Sequence, residues 1–131
     1  MSRENVEIVE RIYERWERGD FSIADWADPA IDYAVVQGGE VDSAQGTEAM
    51  ARSWRDWLAA FEEFKVEATE YIDRGDEILV FAKFRGRGKL SGVPVEEWPG
   101  ASLFTLRDGK VVRLVLYSNR ADALEALGLK E

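Results

Sequence analysis

The sequence contains neither cysteine nor histidine. Without cysteine, disulfides, thiolate nucleophiles and sulfur-ligated metals are excluded. Without histidine, the chain cannot build a Ser-His-Asp or Cys-His arrangement, and zinc and non-haem iron sites lose their commonest ligand. No calcium-loop pattern occurs in the acidic segments, so we expect no cofactor and no metal ion. The lack of cysteine also suits a reducing compartment, and a cytoplasmic location is expected.

Positive charge is scarce, because the chain has only 17 Lys and Arg residues but 26 Asp and Glu residues, which gives a net charge of -9. This balance disfavours phosphate backbones and anionic membranes, which attract basic surfaces. The basic stretch 85–89 is read as a solvated or dimer-facing strand. Long apolar runs are also missing, since none approaches the roughly 18 residues of a membrane span. The N-terminus shows no export signal, so we expect a soluble protein that binds neither nucleic acid nor membranes.

Large apolar residues are plentiful, with 46% hydrophobic residues that include five Trp, six Phe and four Tyr. At 131 residues, a single core buries about two thirds of the surface that the unfolded chain exposes. One domain over residues 1–131 is therefore expected. Apolar residues at helical spacing predict helices near residues 2–19, 20–26, 47–61 and 119–128.

The apolar period changes to two from Phe64 onward, which predicts strands at 64–68, 78–90, 101–107 and 111–118. A shorter strand is predicted at 31–36, followed by a loop that ends near Gly46. The Asp108-Gly109 pair is a strong hairpin signal, and strands in series imply an antiparallel sheet. The predicted fold class is α+β, with a curved antiparallel sheet, the helices on one of its faces and a pocket on the concave side.

This order of elements resembles the SnoaL-like branch of the nuclear transport factor 2-like superfamily. The matching segments are 12–20, 26–29, 46–48 and 106–111, together with Tyr117. They indicate architecture more than activity, because they are helix ends and turns. The resemblance implies a cone-shaped fold with a pocket and a homodimer through the outer face of the sheet. Members include ketosteroid isomerases, polyketide cyclases, epoxide hydrolases, dehydratases and non-enzymatic binding domains.

The residues of the isomerase branch are not found at the matching positions. That branch uses a Tyr on the first helix, a carboxylate base on the first strand and a protonated Asp on a later strand. Counting from the matching segments, the Tyr position falls on Ile12 and the base position on Ala34. The acid position falls on about Ser102. The resemblance therefore does not imply ketosteroid isomerisation.

Asp32 is the best candidate for a catalytic base. Strand alternation places positions 32 and 34 on one face, and the resemblance places that face toward the cavity. A desolvated carboxylate there would have the proton affinity that proton abstraction or water activation requires. The alternative is that Asp32 lies at the pocket rim, solvated or paired with an arginine.

Aromatic and polar side chains are expected to line the pocket, with indole N–H groups available to orient a carbonyl oxygen. For the aromatic residues, ordinary core packing is the alternative. The predicted ligand-binding residues are Trp16, Trp26, Trp54, Leu58, Trp98, Ser102, Tyr117 and Ser118.

Three readings of function follow. The first is a domain that binds an apolar or aromatic small molecule in its cone. The second is a cofactor-free isomerase, cyclase or epoxide hydrolase that uses Asp32. The third is an interaction or dimerisation module, whose cavity would be filled by its own side chains.

Overall fold

A computed structural model describes residues 2–21, 26–37, 40–59, 61–88 and 94–128. These residues form a mixed α+β fold, as the sequence predicts. The elements are α1 (Ser2–Glu17), β1 (Ala27–Gln37), β2 (Glu40–Gln45), α2 (Thr47–Leu58), β3 (Phe61–Arg74), β4 (Glu77–Gly88), β5 (Pro94–Arg107), β6 (Lys110–Tyr117) and α3 (Arg120–Ala126). The short helix predicted over 20–26 falls largely on residues outside these ranges. None of the described helices is long and apolar enough to cross a membrane.

The strands form one six-stranded sheet in the order β2-β1-β6-β5-β4-β3. The four predicted strands from β3 to β6 pair antiparallel in chain order and so form a β-meander, which confirms the predicted antiparallel pairing of these strands. β1 instead runs parallel to β6, so the sheet is mixed. The predicted loop before Gly46 is wrong, because residues 40–45 form β2 and pair antiparallel with β1. Register shifts interrupt the β3–β4, β4–β5 and β5–β6 ladders, and such bulges bend a sheet.

The two faces of the sheet carry separate apolar layers. We call the inner face the one on which α1 and α2 pack, and the outer face the opposite one. Strand alternation divides β4 between them, with Ile78 and Val80 on the inner face and Leu79 and Phe81 on the outer. The inner layer holds most of the large aromatic side chains.

The last helix lies on the outer face, so the expectation of all helices on one face is wrong for α3. Ala123 and Leu124 are buried there against an apolar layer that includes Leu103 and Tyr117. The Arg120 guanidinium lies 3.9 Å from the centre of the Phe81 ring. Part of the surface expected to mediate a homodimer is therefore occupied by the chain's own helix.

Turn chemistry matches the predicted ends of the elements. Asp108 and Gly109 both have positive φ, at 52° and 79°, as a two-residue I′ hairpin requires. Gly19 adopts φ 85° just beyond α1, where a left-handed residue closes a helix. The Asn119 side chain accepts a hydrogen bond from the Asp122 N–H at 2.8 Å and caps α3.

Candidate functional site

Aromatic side chains from four parts of the chain meet on the inner face. The ring centroids of neighbouring pairs lie 4.8–6.3 Å apart, in edge-to-face, tilted and stacked arrangements. We call this group the aromatic cluster; it consists of Tyr13, Trp16, Phe21, Trp26, Tyr33, Trp54 and Phe104. Such pairs add about 0.5–1.5 kcal/mol each beyond the area that they bury, so the cluster stabilises the fold as well as forming a surface.

Backbone hydrogen bonds position two of the three tryptophans of this cluster, and helical spacing positions the third. Trp16 lies in the last turn of α1, and its carbonyl accepts from the Gly19 N–H at 2.9 Å. Trp26 immediately precedes β1, and its carbonyl accepts from the Val111 N–H at 2.9 Å. Trp54 lies one turn after Met50 on α2, so helical spacing directs both side chains to the inner face.

The indole N–H groups of these tryptophans have no hydrogen-bond partner among the described residues. Trp16, Trp26 and Trp54 are 6%, 6% and 8% exposed, so water does not reach these donors from bulk solvent. Aromatic packing explains why the rings are buried. Aromatic packing does not explain why three donors are unpaired, because burial of each donor without a hydrogen-bond partner costs about 1–3 kcal/mol.

Two hydroxyl groups pair beside the cluster. The Tyr13 hydroxyl and Ser102 Oγ lie 2.8 Å apart, and both residues are buried. Desolvation by burial raises the pKa of the Tyr13 phenol well above its ordinary value, while the hydrogen bond to Ser102 opposes part of that rise. Both groups therefore stay neutral at physiological pH and can donate or accept hydrogen bonds.

A groove of about 280 Å³ opens between α2 and the strand pair β1–β2. Its lining consists of Tyr33, Asp42, Ser43, Ala44, Ala49, Arg52, Ser53 and Asp56. Tyr33 belongs to both the groove and the aromatic cluster, and its ring centroid lies 6.2 Å from that of Trp54. The groove thus reaches the edge of the cluster.

Tyr33 is held in a mixed environment where the groove meets the cluster. Burial raises the pKa of its phenol, and side-chain hydrogen bonding to Ser53 opposes that rise. The nearby Trp54 indole also opposes the rise in the pKa of Tyr33, although its N–H is not aligned for a full hydrogen bond to the Tyr33 hydroxyl. Tyr33 therefore presents a neutral hydroxyl between the polar groove and the apolar cluster.

The prediction that Asp32 faces the cavity is wrong. Its neighbours Ile31 and Tyr33 are buried on the inner face, so alternation turns the exposed Asp32 side chain to the outer face. Asp32 lies opposite Gln45 and Arg113 in the neighbouring strands. This position does not bring its carboxylate to the aromatic cluster.

The remaining predicted site residues are distributed over both faces. Ser102 is on the inner face, bonded to Tyr13, whereas Tyr117 belongs to the apolar layer of the outer face. Leu58 is half-buried at the end of α2, and Ser118 follows β6, where its N–H donates to the Val36 carbonyl at 3.0 Å. Trp98 lies on β5, and its side chain falls outside the described part of the structure.

The site includes residues that the sequence reasoning missed. Tyr13 lies one residue after Ile12, on which counting from the matching segments places the tyrosine position, and Tyr13 is 1% exposed and reaches Ser102. Its place in the apolar stripe of α1 was the signal that could have identified it. Tyr33 could have been found from the apolar alternation of Ile31, Tyr33 and Val35.

Together, these features define a small α+β domain with an aromatic site between its first two helices and a curved sheet. A family model for the SnoaL-like domain matches residues 9–114, and the chain belongs to this family. This assignment relates it to polyketide cyclases. No curated protein matches the chain in sequence.

Solved structures share the fold over nearly the whole chain. A proposed SnoaL-like polyketide cyclase from Jannaschia sp. CCS1 is 20% identical, with a TM-score of 0.75 over 99% of this chain and 95% of that one. A proposed polyketide cyclase from Sinorhizobium meliloti is 27% identical, with a TM-score of 0.66 over 84% and 93%. TerC, co-crystallized with polyporic acid, is 18% identical, with a TM-score of 0.75 over 95% and 98%.

Proposed function

We propose that this protein binds an apolar or aromatic small molecule on the inner face, at the aromatic cluster, and that the ligand enters through the groove. The observation that carries the proposal is that Tyr33 lines the groove and packs against Trp54, so the polar groove borders the buried rings. Ligand sites of this kind combine an aromatic surface with a few placed polar groups. Here the polar groups are the Tyr13–Ser102 pair and the indole N–H donors.

The structural relatives support an aromatic ligand. TerC was crystallised with polyporic acid, and two other relatives are described as polyketide cyclases. Aromatic ligands suit a wall of indole and phenol rings, because offset and edge-to-face contacts are favourable for both partners.

The scarcity of buried polar side chains on the inner face favours binding without catalysis over acid-base chemistry. Ser102 is the one buried polar or charged residue in the part of the chain whose burial is described. A general base at the aromatic cluster would need a carboxylate or another group that takes up a proton, and the carboxylates of Asp42 and Asp56 lie in the lining of the groove instead. Asp32, the predicted base, lies on the outer face.

The second candidate is a cofactor-free enzyme of the isomerase, cyclase or epoxide hydrolase type, which the descriptions of the two cyclase relatives favour. Such an enzyme would use the Tyr13–Ser102 pair to donate hydrogen bonds to a developing oxyanion. Turnover of a ligand that binds, lost in Tyr13→Phe, would establish this candidate in place of a binding protein.

A thermal-shift screen with steroids, polyketide-like aromatics, polyporic acid and terpene epoxides tests the proposal. A ligand at a hundred times its Kd stabilises the native state by about 2.7 kcal/mol, which raises Tm by several degrees. Compounds from this set are expected to raise Tm. If no compound in it does so, the proposal is wrong and the interaction module becomes the favoured interpretation.

Matched variants on α2 locate the entrance. Ser53 lines the groove, so Ser53→Phe should fill it and abolish the ligand-induced shift. Arg55 is exposed on the same helix and does not line the groove, so Arg55→Phe should leave the shift intact. Asp32→Asn should also leave it intact. Equal shifts in the wild type and Ser53→Phe would contradict entry through the groove.

A further inference from the structure

Unpaired charges of both signs line the groove between α2 and the β1–β2 strand pair. Arg52 and Asp56 belong to α2, and Asp42 belongs to β2. Within the described part of the chain, these three side chains take part in no ion pair and no side-chain hydrogen bond. Two carboxylates and one guanidinium therefore remain open to a ligand in a groove of about 280 Å³.

Helical spacing builds one wall of the groove. The lining residues of α2 follow the spacing i, i+3, i+4 and i+7, so they share one face of the helix. They are Ala49, Arg52, Ser53 and Asp56. Arginine and aspartate four positions apart on a helix can pair with each other, yet the ion pairs of the described residues do not include Arg52 with Asp56. Both head groups can therefore turn to a ligand.

Strand alternation builds the opposite wall. Tyr33 is buried on the inner face, and its cross-strand partner on β2 is Ala44. Asp42 lies two positions before Ala44, so its side chain is on the same face. Burial raises the pKa of the Tyr33 phenol, and the Asp42 carboxylate adds to this rise, which agrees with a carboxylate near the Tyr33 hydroxyl. Asp42 thus faces the α2 wall across the groove.

The two walls require a ligand that carries both charges. An anion bound at Arg52 would be repelled by the two carboxylates, and a cation bound at the carboxylates would be repelled by Arg52. A zwitterion satisfies both walls, because its carboxylate can form bidentate hydrogen bonds to the guanidinium while its ammonium donates to Asp42 or Asp56. The lining also includes the methyl groups of Ala44 and Ala49, which suit an apolar substituent.

We propose that the groove binds a free α-amino acid with an apolar side chain, whose carboxylate pairs with Arg52 and whose ammonium pairs with Asp42 and Asp56. The volume of about 280 Å³ lies just below the roughly 300–1,000 Å³ of sites for drug-sized ligands, which suits a molecule of this size. This inference goes beyond the proposed function. It assigns a ligand to the groove itself and is independent of whether an aromatic compound binds at the aromatic cluster.

Titration calorimetry with three compounds of similar size separates the two charges. L-Leucine carries both groups, 3-methylbutylamine lacks the carboxylate, and 4-methylpentanoate lacks the ammonium. Their aliphatic side chain keeps these probes distinct from aromatic ligands. Leucine is expected to bind about tenfold or more tightly than either of the others, because each of them loses the hydrogen bonds of one charged group.

Variants that remove one charge assign the two ends of the ligand. Arg52→Gln should weaken leucine binding about tenfold and should not weaken the binding of 3-methylbutylamine. Asp42→Asn and Asp56→Asn should weaken leucine binding without weakening that of 4-methylpentanoate. Arg55→Gln makes the same change of charge at an exposed position of α2 outside the groove lining, so it should leave leucine binding unchanged. All four positions are exposed, so the fold should tolerate these changes.

The outcomes separate this site from simpler ones. Equal or tighter binding of the amine would indicate a cation site, equal or tighter binding of the acid would indicate an anion site, and either result would overturn the inference. Equal losses in Arg52→Gln and Arg55→Gln would also overturn it, because net charge and not the groove would then control the affinity. If leucine, methionine and phenylalanine all fail to bind, the inference is wrong whatever the screen of aromatic ligands shows.

Discussion

The hydroxyl of Tyr13 on α1 meets the hydroxyl of Ser102 on β5 at 2.8 Å, across 89 positions of sequence and in the middle of the inner apolar layer. This hydrogen bond ties the first helix to the centre of the sheet. It also satisfies two polar groups that would otherwise be buried without partners.

Removal of both partners of this pair should be less damaging than the sum of the two single removals. Tyr13→Phe leaves the Ser102 hydroxyl unpaired, and Ser102→Ala leaves the Tyr13 hydroxyl unpaired; each should lower the free energy of unfolding by about 1–3 kcal/mol. The double variant should lose clearly less than the sum, because neither unpaired group remains. Urea denaturation of the four proteins measures this coupling. Strict additivity would contradict the buried hydrogen bond.

Stability should fall at alkaline pH in a way that depends on Tyr13. Burial raises the pKa of its phenol above the ordinary 10.0, so above that pH the unfolded chain loses a proton that the folded chain retains. The free energy of unfolding then decreases by about 1.4 kcal/mol per pH unit for this group.

Tyr13→Phe should therefore show a shallower loss between about pH 10 and about pH 11 than the wild type. The raised pKa values of Tyr33, Tyr71 and Tyr117 affect both proteins alike and cancel in this comparison. Denaturant titrations at several alkaline pH values give the two slopes. Parallel curves would mean that Tyr13 titrates normally in the folded protein.

Gly100 should resist substitution because Phe84 covers it. A Cβ atom at Gly100 would overlap with Cε2 of the Phe84 ring and would lie 3.2 Å from the Tyr117 carbonyl oxygen. Gly100→Ala should therefore cost about 1–3 kcal/mol of stability. In a Phe84→Leu background the same change should cost less, since the ring atoms are gone, although the fixed carbonyl keeps the rescue partial. An equal cost in both backgrounds would argue against this contact.

The cap of α3 should control how firmly that helix covers the outer face. Asn119→Ala removes the acceptor for the Asp122 N–H and should cost about 1 kcal/mol. Asn119→Ser keeps a hydroxyl acceptor at the same position and should retain most of the stability. Thermal unfolding of the two variants provides the measurement. Similar losses in both would show that the cap contributes little.

Much of the fold could be predicted from the sequence because the β3–β6 meander alternates clearly and ends in turns with strong signals. β2 was missed for a physical reason. Within Glu40–Gln45 the one large apolar residue is Val41, which is 65% exposed, so this edge strand has no apolar face to reveal it. The position of α3 could not be predicted either, because a helix that buries little more than Ala123 and Leu124 can pack on either face.

The candidate site was harder to predict because its residues come from separate elements. Counting from the family segments placed Asp32 toward the cavity, whereas the local alternation of Ile31 and Tyr33 turns it outward. The Tyr13–Ser102 pair depends on how α1 lies on the sheet, which lets the Tyr13 side chain reach β5 and which no local pattern encodes. Trp16, Trp26 and Trp54 were expected to line the site, but their unpaired donors become evident only when all their neighbours are in place.

The most direct test of the account is a crystal structure of the complex with the tightest ligand from the screen. The account predicts ligand density between α1, α2 and the inner face, with an oxygen within hydrogen-bonding distance of an indole nitrogen of Trp16, Trp26 or Trp54. Density confined to the outer face, or to the groove without contact to the aromatic cluster, would contradict it.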